Sequence, residues 1–307
     1  MQRYLVKRLA QIVPVFFGAT FLIFALVYAV PGDPIAALAG EKTVPAGVQA
    51  ELRDRYNLDD PLLVQYGKYV GGVLQGDFGE DFRGRSVSDL MSRRWPVTVR
   101  LALAAFAVEV VIGLAAGVLA GLRRRSFADT LVLVSTTVVV AIPIFVLGYT
   151  AQLLIGVELG WLPVASTGAG WRSYVLPALV LGSVSLCYVA RLTRASLSET
   201  MRTDYVRTAR AKGLRRRRVV GVHAMRNSLI PVVTFLGVDL GGLLAGAVVT
   251  EGIFNLPGIG QATFAAVQNQ DYPIVVGIVT ALVLVFIAAN LVVDIIYAVL
   301  DPRIRYG

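Results

Sequence analysis

The chain has 307 residues, 56% of them hydrophobic and only 16% charged, with a net charge of +9. Water-soluble domains carry about 45–50% apolar and about 25% charged residues, so lipid must be the solvent for much of this chain. Cys187 is the sole cysteine, which excludes a disulfide framework and a thiol-based metal site within the chain. The excess of basic residues brackets apolar blocks, the pattern of a membrane-orientation signal rather than of a nucleic-acid surface.

Crossing about 30 Å of hydrocarbon at about 1.5 Å per residue takes about 20 apolar residues in a helix. Residues 9–30 form the first such block, without a charge. The run is too long for the core of a secretory signal, no A-x-A cleavage pattern follows, and Pro31-Gly32-Asp33-Pro34 reads as a turn at a helix exit, so the block is expected to be a retained span. Residues 31–97 follow as an external segment. Residues 48–56 and 64–74 predict two short amphipathic helices there, and Asp54, Asp59, Asp60, Asp77, Glu80 and Asp81 interleave with its basic residues.

Five further spans are predicted. Residues 98–122 carry Arg100 near one end and Glu109 inside; residues 130–157 are uncharged but interrupted by Pro143, which removes one helix hydrogen bond and either kinks the helix or is tolerated. Residues 174–190 end at Arg191, residues 228–250 contain Asp239, and residues 274–300 contain Asp294. Residues 252–273, holding Phe254-Asn255-Leu256-Pro257-Gly258-Ile259-Gly260, are expected to be turn-rich and to dip back toward the membrane. The fold class is therefore all-α membrane protein: six transmembrane helices and a small helical external domain between the first and second. The organisation is 1–30, 31–97 and 98–307. Arg3, Lys7 and Arg8, then Arg123 to Arg125, then the basic connection up to Arg226, then Arg303 and Arg305 all fall on one side of six spans, which places both termini in the cytoplasm.

Gly113, Gly117 and Gly121 recur every fourth residue and allow close helix approach, and Gly237, Gly241, Gly242 and Gly246 are expected to do the same in the fifth span. Carboxylates inside spans are costly, about 2.5–3.5 kcal/mol at the bilayer centre, and usually face a cavity or a partner. Asp239 and Glu109 are accordingly candidates for a translocation path, Asp294 for a structural contact near a helix end. Glu251, at the external mouth, is a candidate to meet a delivering protein or the amino group of a solute.

Residues 198–227 carry the richest pattern. A helix is predicted from Thr203-Asp204-Tyr205-Val206 onward, Gly213 stops it, Arg215 to Arg218 follow, and a second amphipathic run leads to Asn227. Such a loop is either a solvated positive anchor or a short helix that seats in the groove of a partner protein.

The segment from Asp204 to Leu214 resembles the EAA loop of ABC-importer permeases, and in particular that of the dipeptide/oligopeptide and nickel permease family, in the subunit with the larger external domain. The family's Glu-Ala-Ala-x3-Gly falls on Arg207, Thr208, Ala209 and Gly213, of which Ala209 and Gly213 match and Arg207 replaces a carboxylate. The resemblance extends along nearly the whole chain, through Pro31-Gly32-Asp33-Pro34, Leu58-Asp59-Asp60-Pro61, Gly76-Asp77-Phe78-Gly79, Ile142-Pro143-Ile144-Phe145, Arg226-Asn227-Ser228-Leu229-Ile230-Pro231, Thr250-Glu251-Gly252-Ile253-Phe254, Asp271-Tyr272-Pro273 and Leu300-Asp301-Pro302-Arg303.

The resemblance implies a bacterial inner-membrane subunit working with a homologous second permease, two ATPase subunits and an extracytoplasmic substrate-binding protein that delivers di- or oligopeptides. Coupling to the ATPase would rest on Tyr205, Arg207, Thr208, Ala209 and Gly213, and ATP and Mg would be bound by the partner ATPases. The chain itself has no G-x-x-x-x-G-K-[ST] string, no His-Glu-x-x-His and no Gly-x-Ser-x-Gly, so no catalytic residue, metal site or cofactor is expected in it. Gly40-Glu41-Lys42-Thr43 only echoes the first string, and His223, among arginines, reads as a surface or interface residue. The alternative reading is a secondary transporter or channel driven by an ion gradient, whose mark would be inverted repeats with paired broken helices.

Overall fold

The computed structural model describes residues 2–28, 45–81, 84–165 and 170–300. The turn at Pro31 to Pro34, the Gly40 to Thr43 stretch, and Asp301, Pro302, Arg303 and Arg305 lie outside the described residues, as do the side chains of Arg3, Lys7, Gly246 and Asp294. The described elements are helices: α1 (Gln2–Tyr28), α2 (Ala46–Arg55), α3 (Leu62–Val73), α4 (Val87–Leu122), α5 (Phe127–Ala141), α6 (Ile144–Glu158), α7 (Arg172–Thr200), α8 (Asp204–Ala211), α9 (Arg216–Ser228), α10 (Ile230–Gly246), α11 (Val248–Ile253), α12 (Ile259–Gln268) and α13 (Tyr272–Leu300). Four of these are long and apolar enough to cross a membrane, and two bent pairs, α5 with α6 and α9 with α10, raise the number to six if each pair is one span. The chain divides into two compact units, residues 1–99, 244–252 and 256–307 forming one and residues 100–243 and 253–255 the other.

In the first unit, α2 and α3 fall close to the two amphipathic helices expected in the external segment. Pro45 and Pro61 precede them, their fixed φ feeding the first turn, and Asn57 at φ 52° turns the chain out of α2. The Tyr66 hydroxyl lies 2.9 Å from the Thr20 hydroxyl and donates to the Phe17 carbonyl at 3.1 Å, while Tyr69 donates to the Val276 carbonyl at 3.3 Å, so α3 is fixed to both α1 and α13. Phe16, Val70 and Val73 bury against Leu284 and Ile287 in the same place. Tyr56 donates to the Asp81 carbonyl at 2.8 Å; burial pushes its phenol up to about 12, so it remains a donor at neutral pH.

The helix α4 starts at Val87 rather than at residue 98. Its first turns are amphipathic, not uniformly apolar, and they bury Val87 and Met91 against Ile259, Ala262 and Ala266 of α12 and Ile274 and Ile278 of α13. The connection before α13 thus contains a ten-residue helix with a buried face, where the sequence pattern gives only turn residues.

In the second unit the glycine pattern of the 100–122 part of α4 places it against α7. A Cβ added at Gly117 would stand 2.5 Å from the Ala190 carbonyl oxygen and 2.6 Å from the Thr193 Cβ; at Gly113 it would stand 2.9 Å from Val189. Gly182 of α7 returns the contact, its Cβ position lying 2.8 Å from the Ala105 carbonyl oxygen. Close approach was expected in the fifth span too, but an added Cβ at Gly242 meets nothing within 4 Å. That glycine supplies a bare surface rather than a contact.

Two spans differ from their expected form. The block at 130–157 is not one helix: Ile142 is extended, at φ −92° and ψ 127°, and α5 and α6 meet at 103°. Pro143 forbids the helical conformation at Ile142 and cannot donate back to α5, which is the physical source of the bend. The helix α7 runs on past Arg191 to Thr200, because Arg191 and Arg194 have partners on α5. Arg191 reaches the hydroxyls of Thr136 and Thr137 at 3.0 and 2.6 Å, and Arg194 pairs with both oxygens of the buried Asp129. A bidentate carboxylate makes a guanidinium tolerable at a helix end.

Replacing Gly117 with Leu is expected to lower the stability of the purified protein by about 1–3 kcal/mol, since no neighbour can yield to the added atoms. Gly242→Ala should leave it unchanged. Thermal unfolding in detergent measures both.

Candidate functional site

Three polar constellations stand out from an otherwise apolar chain. The first is the loop between α7 and α10. Thr203 leads into α8, and Gly213, at φ +74°, ends it in the left-handed conformation that glycine alone adopts without strain. The helix buries Val206 and Ala209 against Leu197, Val219 and Ala224. It presents the other side outward: the Arg207 side chain is 74% exposed, Tyr205 is exposed, and so is Thr208. Three bonds stiffen this outward face. Arg207 pairs with Asp204 one turn back at 3.2 Å, the Thr208 hydroxyl donates to the Asp204 carbonyl at 2.9 Å, and the Asn227 amide donates to the Tyr205 hydroxyl at 2.9 Å. Of the five expected coupling residues, Tyr205, Arg207 and Thr208 therefore face outward, Ala209 faces the protein, and Gly213 shapes the turn. His223 is half-buried in the same loop.

The second constellation lies inside the apolar helices of the second unit. Asp239 on α10 accepts from the Ser185 hydroxyl of α7 at 2.9 Å, and Glu109 of α4, 0% exposed, stands beside both. Among the described residues no donor is placed in hydrogen-bond geometry with either Glu109 oxygen or with Oδ2 of Asp239. Glu109 opens a five-residue stretch of α4 where the helix widens to i→i+5 hydrogen bonding, a local defect that redirects side chains and recurs at working sites. Around the polar centre Val189, Val232 and Leu236 are buried with Phe106, Val110 and Leu114 packed against them. The two intramembrane acids of the path expectation are thus brought together, along with a serine that the sequence does not single out from the other hydroxyls of α7.

The third constellation belongs to the first unit. Glu251 is 0% exposed. Its Oε1 accepts from the Thr98 hydroxyl at 2.6 Å and its Oε2 from the Gln261 amide at 3.1 Å, while the Thr98 oxygen accepts from the Ile259 amide at 2.8 Å. A carboxylate at the start of α12 satisfies amides that the helix itself leaves free and favours the positive end of its dipole. Gly258 is required by space alone, because a side chain there would collide with the Glu251 carboxyl. Thr98 and the α12 amides were not legible in the sequence, which shows neither the fold of 255–261 nor which hydroxyl lies opposite Glu251.

Residues 113–306 match the family described as binding-protein-dependent transport system inner membrane component, and residues 1–102 match its N-terminal companion. The chain belongs to this family. It is 41% identical to the di/tripeptide transport system permease protein DppB of Pseudomonas aeruginosa (strain UCBPP-PA14), over 100% of this chain and 99% of that one. It is 38% identical to the glutathione transport system permease protein GsiC of Escherichia coli (strain K12), over the full length of both. In fold it is similar to a chain of the MetNI methionine ABC transporter in inward facing conformations, with a TM-score of 0.51, 18% identity, and coverage of 67% of this chain and 95% of that one.

The protein is therefore an ABC-importer permease, a multi-pass component of the bacterial inner membrane, and the reaction that drives it, ATP hydrolysis, is carried out by separate ATPase subunits. The ion-gradient alternative gives way to this assignment.

The Glu251 constellation generates a direct test. In Glu251→Gln one of two acceptor oxygens becomes a donor facing a donor, and Thr98→Val removes a donor and an acceptor together. Each is expected to weaken the 251–261 loop by about 1–3 kcal/mol, raising hydrogen exchange at the Ile259 and Gln261 amides by about tenfold or more.

Proposed function

We propose that this permease forms, with a homologous second permease, the translocation path of an importer for short peptides, delivered by an extracytoplasmic binding protein. Two ATPase subunits that bind ATP and Mg dock on the loop at 198–227. The observation that carries the reading is the outward face of α8. Tyr205, Arg207 and Thr208 are bonded to Asn227 and Asp204, over a buried seat of Val206 and Ala209. A short helix anchored from behind and bare in front transmits a push along its whole length, as a floppy anchor does not. Arg207, in place of the family's carboxylate, supports a docking contact to an acidic or backbone-carbonyl surface of the ATPase.

Peptide is favoured as cargo because the relatives that match this chain end to end are named for di/tripeptide and for glutathione, both short and peptidic. Six spans, with each bent pair counted as one, and cytoplasmic termini follow from the distribution of basic residues. The division 1–30, 31–97 and 98–307 is kept as the functional organisation, with the external segment on the side of the binding protein.

Glu109, Asp239 and Ser185 supply the polar centre of the path. Their unmatched acceptor atoms suit a passing ammonium group or the water that accompanies it. Glu251 serves the same path from the external mouth by holding the loop at 255–261 in shape.

The reading is tested on the complex purified through this chain and reconstituted in vesicles. ATPase subunits should co-purify, and binding protein loaded with a dipeptide should raise ATP hydrolysis. Gly213→Val forces a β-branched residue to φ +74°, a cost of about 1–2 kcal/mol, and should reduce docked ATPase by a factor of about 5–30. Asp239→Ala should lower peptide uptake while ATPase docking holds. Unchanged nucleotide-dependent uptake in the Gly213 variant would sink the coupling assignment.

A further inference from the structure

Behind the docking helix lies a cavity of about 550 Å³ that the transport reading does not use. It opens between the ends of α4 and α7, where two membrane-long helices finish at Leu122 and Thr200, and the start of α9. Four guanidinium groups line it: Arg124, Arg202, Arg210 and Arg216. Among the described residues none of the four forms an ion pair with a carboxylate; Arg210 reaches only the Met201 sulfur at 3.9 Å, and Asp129, which feels the charge of Arg124, is held by Arg194 through both oxygens. Arg210 lies one turn past the buried Val206 and, unlike Tyr205, Arg207 and Thr208, lines the cavity. Apart from Ser198 the rest of the wall is apolar, with Leu122 and Leu214 prominent.

We infer that this cavity is a binding site for the phosphate headgroup of an anionic phospholipid, phosphatidylglycerol or cardiolipin. Four unpaired positive charges in one cavity repel each other and call for a multivalent anion. Guanidinium forks match phosphate oxygens in pairs. Position favours the lipid as source: Gly121, Leu122 and Arg124 of the wall stand where the long apolar helix α4 ends, and basic pockets at the ends of transmembrane helices bind such headgroups. The apolar wall accommodates the first acyl carbons, which a free anion does not need. An acidic patch of the ATPase is the less fitting occupant, because Tyr205, Arg207 and Thr208, the outward face of α8, do not line the cavity. A bound lipid would brace α8 against the ends of α4 and α7, linking the transmembrane helices to the coupling helix through a third body. The leaflet concerned rests on the orientation proposed above; the presence of the lipid does not.

Native mass spectrometry of the intact complex, purified from mixed phosphatidylcholine and phosphatidylglycerol, counts the retained lipid. Wild type should keep anionic lipid in preference to phosphatidylcholine. Arg124→Gln with Arg202→Gln should lower that retention about tenfold or more, since each guanidinium near a charged headgroup contributes about a factor of five. Arg217→Gln with Arg218→Gln, on the same loop but outside the cavity, should leave it unchanged. Arg202→Lys, which keeps the charge, should retain most of it, and Arg202→Gln alone carries the comparison if the double variant does not assemble. Equal retention by the double variant and wild type overturns the inference. So does displacement of the lipid by millimolar inorganic phosphate, which would make the site one for a free anion. Loss of ATPase subunits from the double variant with its lipid count unchanged would assign the arginines to docking instead. Failure of wild type to bring down ATPase subunits at all would count against the transport reading and leave the lipid result standing.

Discussion

Lipid tails are as apolar as leucine, so two helices inside a bilayer gain little by burying side chains against each other; what holds them is how closely their backbones approach. In this permease that constraint falls on α4 and α7. Gly113, Gly117 and Gly121 on one helix and Gly182 on the other bring carbonyl oxygens to within van der Waals reach of the opposite backbone. The rest of the second unit depends on that contact. It fixes Ser185 opposite Asp239 and sets Glu109 beside them, and it carries α7 far enough along α5 for Arg194 to meet Asp129.

The polar groups then divide by how completely they are satisfied. The Glu251 group is closed: hydroxyl, carboxylate and two amides match donor for acceptor, and Gly258 leaves room for the carboxyl. Such a group gives shape. The Glu109 and Asp239 group is open, with three oxygens that meet no donor among the described residues, in a place where an unmatched polar atom is expensive. An open group in an apolar helix bundle is suited to a visitor. The loop beyond α7 combines both properties, since α8 is fastened on one side by Val206 and Ala209 and left bare on the other.

Much of this was legible in the chain. Long uncharged blocks located the apolar helices, the four-residue glycine spacing located the α4 packing face, and Gly213 marked the end of α8. The same cues misled where a neighbour decides. Arg191 looked like a helix end because a charge after an apolar run usually meets water, yet Thr136 and Thr137 receive it and the helix continues. Gly242 had the look of a packing glycine and faces no atom within 4 Å. Residues 252–273 read as turn because Asn, Pro and Gly crowd there, while the buried face of α12 is set by Val87 and Ile278, far away in sequence.

The sequence by itself determined the solvent of the chain, its helical class, the place of the basic loop that holds α8, and the family. Each follows from composition, from a period along one segment, or from short strings in fixed order, which are local quantities. Only the tertiary structure decided that Pro143 bends its span by 103°, that Ser185 and Thr98 complete two carboxyl sites, and that four arginines from two separate connections line one cavity. A carboxylate or a guanidinium takes its role from the donor or acceptor it meets across the packing of other helices, and that pairing is written in no single segment.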